Sequence, residues 1–350
     1  MLRTGTGNLL ESDVVALVNT VNCVGVMGKG IALQFKQAFP ENFKKYKEAC
    51  DAGEVQLGRM LVFKTESPTN PAYIVNFPTK KHWKEKSQLS HIQTGLLALV
   101  EELRIRDIKS IAIPPLGCGN GGLLWQDVEP LIQAAFSTLP SVEVMVFSPD
   151  GAPAPKDIIV RTEKPNMTLG RALLISLIKS YREQDYELTK LEIQKLAYFA
   201  QMAGQPLKLN FVRDKFGPYA ENLNHALQAM EGHFIQGCGD RNKIRGRSKN
   251  AEISLLLGAY EEAEKFLAAD VDSLKRINKV SELIQGFETP YAMELLATVH
   301  VVASGDARAA EEAKVAIAEV HRWSDYKKNT FSPEHILIAW EHLRAQGWLT

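Results

Sequence analysis

The stretch that most limits what this chain can fold into is LVNTVNCVGVMGKGIALQF, residues 17–35. It is approached by Val14, Val15, Ala16, Leu17 and Val18, the short unbroken apolar run of a strand buried on both faces of a parallel sheet. At the carboxyl end of that strand, where open α/β sheets bind ligands, Asn19, Thr20, Asn22 and Cys23 supply hydrogen-bonding groups. Gly25, Gly28 and Gly30 then remove the side chains that would hold a bound group off the backbone, and Ile31, Ala32, Leu33 and Phe35 begin an amphipathic helix. Such a helix start favours an anion through its unpaired N–H groups and its dipole, and we read a phosphate here. An ordinary strand-to-helix turn accounts for one glycine, but not for three beside two asparagines. The spacing excludes two familiar phosphate loops. Lys29 is followed by Gly30 where a Walker loop needs Ser or Thr, and the glycines run G-x-x-G-x-G where the dinucleotide fingerprint runs G-x-G-x-x-G.

A second stretch repeats this design. Ile111, Ala112 and Ile113 read as a buried strand and run into PPLGCGNGGLLW, where Gly117, Gly119, Gly121 and Gly122 surround Cys118 and Asn120 before a helix from Trp125. Two such loops on one sheet suit two adjacent phosphates gripped from both sides. An Asn-Gly hairpin turn is the plainer reading of Asn120-Gly121, but three further glycines flank it and no hairpin strand follows. Between the loops lies VNFPTKKHWKEKS. Lys80 falls just past a strand end on the same sheet edge, beside Lys81, with Trp83 in reach of a base or ribose. A lysine next to another cation loses part of its preference for the charged form, which suits it to nucleophilic or acid–base work near neutral pH. Alone the lysines would read as a solvated basic loop; between two phosphate loops, Lys80 reads as catalytic.

Around these motifs residues 1–148 alternate strands and helices, predicting a layered α/β domain with a mostly parallel central sheet. Strands are predicted at 2–6, 16–22, 60–64, 73–77, 110–114 and 142–147, and helices at 31–39, 41–51, 90–106 and 125–139. At 350 residues the chain is long enough for a second domain. Residues 149–166, with Pro149, Gly151, Pro153, Pro155 and Pro165, read as a linker, and 167–350 as a mainly α-helical domain. Its helices are predicted at 169–181, 189–203, 218–230, 252–268, 272–284, 290–302, 307–323 and 333–346, with one short strand at 207–212.

Composition narrows the function. The formal net charge is zero, and residues 1–150 hold 15 Lys+Arg against 15 Asp+Glu, so any hold on nucleic acid must be local and not a matter of bulk charge. The four cysteines lie far apart without a C-x-x-C pair, and the eight histidines lack ligand spacing, so neither disulfides nor a metal is expected; His335 and His342 read as surface residues of one helix. There is no apolar run of about 18 residues and no signal-like N-terminus, so a cytoplasmic protein without membrane contact is expected.

GNLL near the N-terminus, VNTVNCVGVMGKGIA, NFPTKKHW and PPLGCGNGGLLW, in that order, resemble a macrodomain, and more narrowly that of the DarG antitoxins that oppose DarT toxins. The resemblance implies a three-layer macrodomain that binds ADP-ribose, whose diphosphate matches the paired loops. It also implies a hydrolase, free of cofactors, that removes ADP-ribose from thymine in single-stranded DNA, with a DarT-like transferase as protein partner. Carried over by position, Asn8 and Leu9 fall at the adenine end, and Thr20, Val21 and Asn22 at the distal ribose. Val26, Met27, Gly28, Lys29, Gly30 and Ile31 fall with Gly117, Cys118, Gly119, Asn120 and Gly121 at the diphosphate. Thr79 and Trp83 flank Lys80, which matches the family's catalytic lysine.

There are two departures from the wider macrodomain pattern. Gly121 stands where a related eukaryotic macrodomain has an aspartate, so assistance to Lys80 must come from elsewhere, and Asn22 is the candidate. Asn8 stands where many macrodomains read adenine with an aspartate, but its carbonyl can still accept from the adenine amino group. In the second domain, KLAYFA and KFGPY resemble helical domains of bacterial antitoxins. Arg241, Lys243, Arg245, Arg247 and Lys249 form a basic run that reads as a solvated loop, with DNA phosphate or an acidic toxin surface as the sharper alternatives. Two other functions remain open: an ADP-ribose reader without chemistry, which Gly121 makes conceivable, and an antitoxin that works by sequestration alone.

Overall fold

The computed structural model describes residues 1–149, 158–182, 188–238 and 252–349, together with the backbone of 243–244 and 247–248. Gly151, Pro153 and Pro155 of the expected linker, and Arg241, Arg245 and Lys249 of the basic run, lie outside the described residues. Two compact units emerge, one on Met1–Glu163 and one on Lys164–Cys238 and Asn250–Thr350.

In the first unit the apolar runs form the expected strands: β1 (Leu2–Gly5), β2 (Ala16–Asn22), β3 (Leu61–Lys64), β4 (Tyr73–Lys80), β5 (Ser110–Ile113) and β6 (Glu143–Phe147). They make one sheet in the order β1-β6-β5-β2-β4-β3, parallel except for the antiparallel β3–β4 pair. Alternation along β2 splits its side chains between two layers. Ala16 and Val18 pack with Leu96 and Leu99 of α3 (Leu89–Ile105) and Val128 of α4 (Trp125–Phe136). Leu17 turns to Phe35 and Ala38 of α1 (Gly30–Ala38), and Val21 to Tyr46 and Ala49 of α2 (Pro40–Asp51). Helices thus cover both faces of the sheet, the three-layer arrangement expected of the sequence.

One strand runs beyond its prediction. β4 continues through Pro78 to Lys80, although proline is normally kept out of central strands. Pairing with β3 covers only Tyr73–Asn76, so Pro78 falls where β4 has a single neighbour. On the other side of β4, a bulge after Val21 brings Asn22 opposite Lys80. Lys80 therefore ends a strand and does not sit in the loop after it. A second departure from propensity supports the same strand. Gly95 lies inside α3, at a cost of about 1 kcal/mol relative to alanine, because a Cβ there would come 2.2 Å from Cζ of Phe77.

The second unit is mainly helical: α5 (Leu169–Arg182), α6 (Lys190–Met202), α7 (Leu223–Met230), α8 (Ala259–Leu267), α9 (Val271–Ile284), α10 (Pro290–Gly305), α11 (Ala307–Glu311), α12 (Ala313–Trp323), α13 (Asp325–Thr330) and α14 (Pro333–Ala345). Leu177, Phe199, Leu296, Val299 and Leu343 lie in its core. Helix starts follow local chemistry. Thr189 and Glu192 form a capping box on α6, and Thr289-Pro290 and Ser332-Pro333 place a capping hydroxyl before an N1 proline on α10 and α14.

Several predicted boundaries are corrected here. The helix expected at 218–230 begins at Leu223, because Gly217–Ala220 (β8) pairs as a hairpin with Phe211–Asp214 (β7), which is also where the strand expected at 207–212 lies. The helix expected from 252 starts at Ala259, since Gly258 takes the left-handed conformation at φ +80° and Ser254–Leu255 is a short strand. The helix expected at 307–323 is split at Glu312, which is extended. Ser324 caps α13, a helix not foreseen from the sequence. His342 is half-buried, its Nε2 2.7 Å from the carbonyl oxygen of Leu283, and so is not the surface residue expected. Among the described residues no helix is long and apolar enough to cross a membrane, and no group of His, Cys, Asp and Glu could hold a metal.

Candidate active site

The carboxyl ends of β2, β4 and β5 gather the three motifs. The first loop is folded around the Asn22 side chain. Its Oδ1 accepts from the N–H of Val24 at 3.0 Å and of Val26 at 3.3 Å, and its Nδ2 donates to the carbonyl of Val26 at 2.6 Å. The hydroxyl of Tyr46, itself buried, donates to the Asn22 carbonyl at 2.7 Å. The side-chain amide of Asn22, the residue expected to assist Lys80, is thus engaged in shaping the loop.

Beneath the loop sits a buried cluster that the sequence did not reveal. Asn19 Nδ2 donates to Asn76 Oδ1 at 2.9 Å, and Asn76 Nδ2 donates to Asn42 Oδ1 at 2.7 Å and to the carbonyl of Leu61 at 3.2 Å. Asn76 stands in VNFPTKK and was legible as a polar interruption of a buried strand. Asn42, in the polar-looking α2, carried no such signal.

The second loop closes on itself, with the N–H of Leu123 donating to the carbonyl of Gly117 at 3.1 Å. The two glycine loops approach each other at Gly30, at φ +58°, where an added Cβ would lie 3.2 Å from Nδ2 of Asn120. Gly119 is exposed, and no protein atom would meet a Cβ there. Gly121 is the opposite: a Cβ would stand 2.3 Å from the Gly117 oxygen and 2.4 Å from Oγ of Ser87. An aspartate cannot occupy this position without moving backbone, which gives the departure at Gly121 a steric cause.

Lys80 ties these pieces together. Its Nζ donates to three carbonyl oxygens, those of Asn120 at 3.1 Å, Glu85 at 3.2 Å and Trp83 at 3.3 Å. The N–H of Ser87 adds a second strap to the glycine loop by donating to Gly121 O at 3.0 Å. Burial lowers the pKa of the Lys80 ammonium below the ordinary lysine value, while the Glu85 carboxylate opposes the shift. Exposed Lys81 has no part in it, contrary to the expectation that a neighbouring cation would be the cause.

The remaining predicted residues divide by the direction of their side chains. Val26 and Lys29 are exposed, Thr20, Gly28 and Ile31 half-buried. Val21 and Met27 turn into the α2-side core, and Leu9 into the α1-side core, so these three can offer a ligand only backbone. Asn8 caps the turn Leu9–Glu11, its Oδ1 accepting from the N–H of Leu10 at 3.1 Å; the carbonyl expected to meet adenine already has this bond. Thr79 is buried with its hydroxyl 3.4 Å from the Val21 oxygen. Burial pushes the Cys118 thiol up to about 11, so it stays protonated and unreactive at neutral pH. Trp83 is exposed.

Residues 18–132 match the Macro domain family. A Thermus aquaticus protein named DNA ADP-ribosyl glycohydrolase is 45% identical over 349 residues, covering 100% of this chain and 94% of its own. A Thermosipho africanus protein named as a fusion of a DNA ADP-ribosyl transferase and a DNA ADP-ribosyl glycohydrolase is 35% identical over 41% of this chain and 40% of its own. The solved macrodomain of Mycobacterium tuberculosis DarG is 53% identical, covering 43% of this chain and 98% of its own at a TM-score of 0.42. The whole-length identity to the Thermus protein settles the relationship: the chain belongs to the family of DNA ADP-ribosyl glycohydrolases.

Proposed function

We propose that this protein is an antitoxin that hydrolyses the N-glycosidic bond between ADP-ribose and a DNA base, thymine in single-stranded DNA by the family resemblance. The observation that carries the reading is the position of Lys80: one ammonium holds the second glycine loop through Asn120 O while its strand faces the first loop at Asn22. A diphosphate lying between the N-terminus of α1 and the Gly117–Gly121 backbone brings the distal ribose towards Thr20, Asn22 and Lys80. Asn8 and Leu9 mark the adenine end, Thr79 lies beside Lys80 at the distal end, and Trp83 lies beyond it in reach of a base.

The three carbonyl acceptors use all three N–H bonds of a lysine ammonium. Burial makes that ammonium a stronger acid than usual. Lys80 thus suits the general acid once one N–H leaves its carbonyl for the substrate: as the bond from the ribose anomeric carbon to the base nitrogen breaks, Lys80 gives that proton to the departing base, water supplies the oxygen that bonds to the carbon, and the proton released by the water restores the Lys80 ammonium. No cofactor takes part. Asn22 acts by holding the loop.

The macrodomain of residues 1–148 carries this chemistry, and the helical domain of 167–350, joined by the linker at 149–166, binds a DarT-like transferase. The fused transferase and glycohydrolase of Thermosipho supports the pairing of such a transferase with the glycohydrolase, and a cytoplasmic protein fits this reading. Release of ADP-ribose from an ADP-ribosylated single-stranded oligonucleotide by the full chain, lost in Lys80→Ala, is the expected result. Binding of ADP-ribose without release would make the protein a reader. A borohydride-trapped adduct on Lys80 would replace proton donation by a Schiff base.

A further inference from the structure

The turn after Lys80 concentrates charge that the chain as a whole lacks. Residues 80–86, KKHWKEK, hold four lysines against one glutamate in a protein of formal net charge zero. The turn is held by its own bonds. Lys80 Nζ donates to the carbonyls of Trp83 and Glu85, the Glu85 N–H donates to the His82 carbonyl at 3.0 Å, and the Lys84 N–H donates to His82 Nδ1 at 3.3 Å. The Ser87 N–H fixes its far end to the second glycine loop. Its side chains point outward all the same. Trp83 is 40% exposed, and Lys81, Lys84 and Lys86 are exposed beside it.

We propose that this turn receives the single-stranded nucleic acid that carries the ADP-ribosyl group, with Trp83 stacking on a base and Lys81, Lys84 and Lys86 meeting its phosphates. An indole left 40% exposed is costly, and an aromatic ring with Lys84 over it and two more exposed lysines in the same turn matches the alternation of bases and phosphates in a strand. An acidic peptide would satisfy the lysines and leave the exposed part of the ring uncovered. Lys84 Nζ lies 5.0 Å from the ring centroid, close enough to neutralise a phosphate next to the stacked base, and the His82 ring braces the indole at 5.4 Å. The position is fixed by chemistry, because the ammonium of Lys80 is bonded to the backbone of Trp83 itself. The surface deepens the glycohydrolase reading and rests on it.

The test uses the full chain with three probes: a short single-stranded oligonucleotide ADP-ribosylated on one thymine, ADP-ribosylated thymidine, and an ADP-ribosylated acidic peptide. Binding is followed by fluorescence anisotropy or calorimetry across a salt series, and release of ADP-ribose is measured separately. Each phosphate contacted on a single strand adds about 0.7 to the logarithmic salt slope, so replacing Lys81, Lys84 and Lys86 by Gln together is expected to reduce the slope by about 2. The same triple variant should bind ADP-ribosylated thymidine as the wild type does. Trp83→Ala should weaken oligonucleotide binding about fivefold or more relative to its binding of the thymidine compound. An unchanged oligonucleotide affinity and slope in the variants overturns the proposal. So does an equal loss on the thymidine compound, or tighter binding of the peptide. Failure of the wild type to release ADP-ribose from the oligonucleotide overturns the glycohydrolase reading instead, and is read independently of binding.

Discussion

Lys80 in the macrodomain and Lys195 in the helical unit share one perturbation and differ in almost everything else. Burial lowers the pKa of both, that of Lys195 to about 7, with the neighbouring Lys327 adding to the shift. Lys195 is 2% exposed and donates to the carbonyl of Pro218 at 2.8 Å inside the core. Nearby, Lys327 is fully buried, paired with Glu294 at 2.7 Å and bonded to Thr298 Oγ1 at 3.0 Å. Lys80 is half-buried and bridges two loops at an open sheet edge. A weakened lysine is therefore a pointer to chemistry only where the surrounding backbone leaves room for a substrate. Behind α6, α10 and α13 the same perturbation marks a polar device of the core.

The sharpest way to break this contrast is to remove each amine. Lys80→Ala is expected to lose 10² to 10⁴ in turnover of ADP-ribosylated DNA, on the order of what general acid catalysis supplies, while Lys195→Met should keep its turnover. Comparable losses in both would make the distinction false. Next, Glu294→Ala leaves the Lys327 ammonium buried without its counter-ion and should destabilise the helical unit by about 3–5 kcal/mol. Denaturation of the full chain, followed by tryptophan fluorescence, reads this as an early transition, with ADP-ribose binding preserved.

A third expectation separates the two glycines of the second loop. Gly119→Glu should fold normally, because a Cβ there meets no protein atom, and lose ADP-ribose affinity by calorimetry. Gly121→Asp should lose affinity together with thermal stability, because its Cβ collides with the Gly117 oxygen. Equal stability in the two would remove the steric account of Gly121.

The smallest effects concern pH. The folded pKa of Lys195 lies below its unfolded value, so between about pH 7 and 9 the unfolded chain binds more protons and stability should rise with pH. Lys195→Met should flatten that rise in urea titrations across the range. Lys81→Ala should leave the pH profile of turnover in place, since burial and Glu85, not Lys81, set the Lys80 pKa.

The sequence made the macrodomain legible because each of its signals is local: buried runs for β2 and β5, glycines before a helix, a lysine pair after a strand. What it concealed depends on contacts across the fold. Lys80 entered the strand itself because β3 stops short of Pro78, and strand length in one segment cannot be read from another. Nor could the sequence show that the amide of Asn22, read as a catalytic partner, is bonded to Val24, Val26 and Tyr46. In the helical unit, apolar periodicity began a helix at Pro218, where a hairpin strand delays it to Leu223, and ran through Glu312, where an extended residue splits it.

The buried asparagines under the first loop have a consequence for folding accuracy. Hydrophobic residues on β2 and β4 would tolerate a misaligned pairing of these two strands, since one valine serves much like the next. Asn19, Asn76 and Asn42 would not, because a shift by one position would strand amides in a dry interior at a cost of about 1–3 kcal/mol for each group left unbonded. The strands that deliver Asn22 and Lys80 thus carry their own proofreading, and misassembled chains are penalised before a site can form on them.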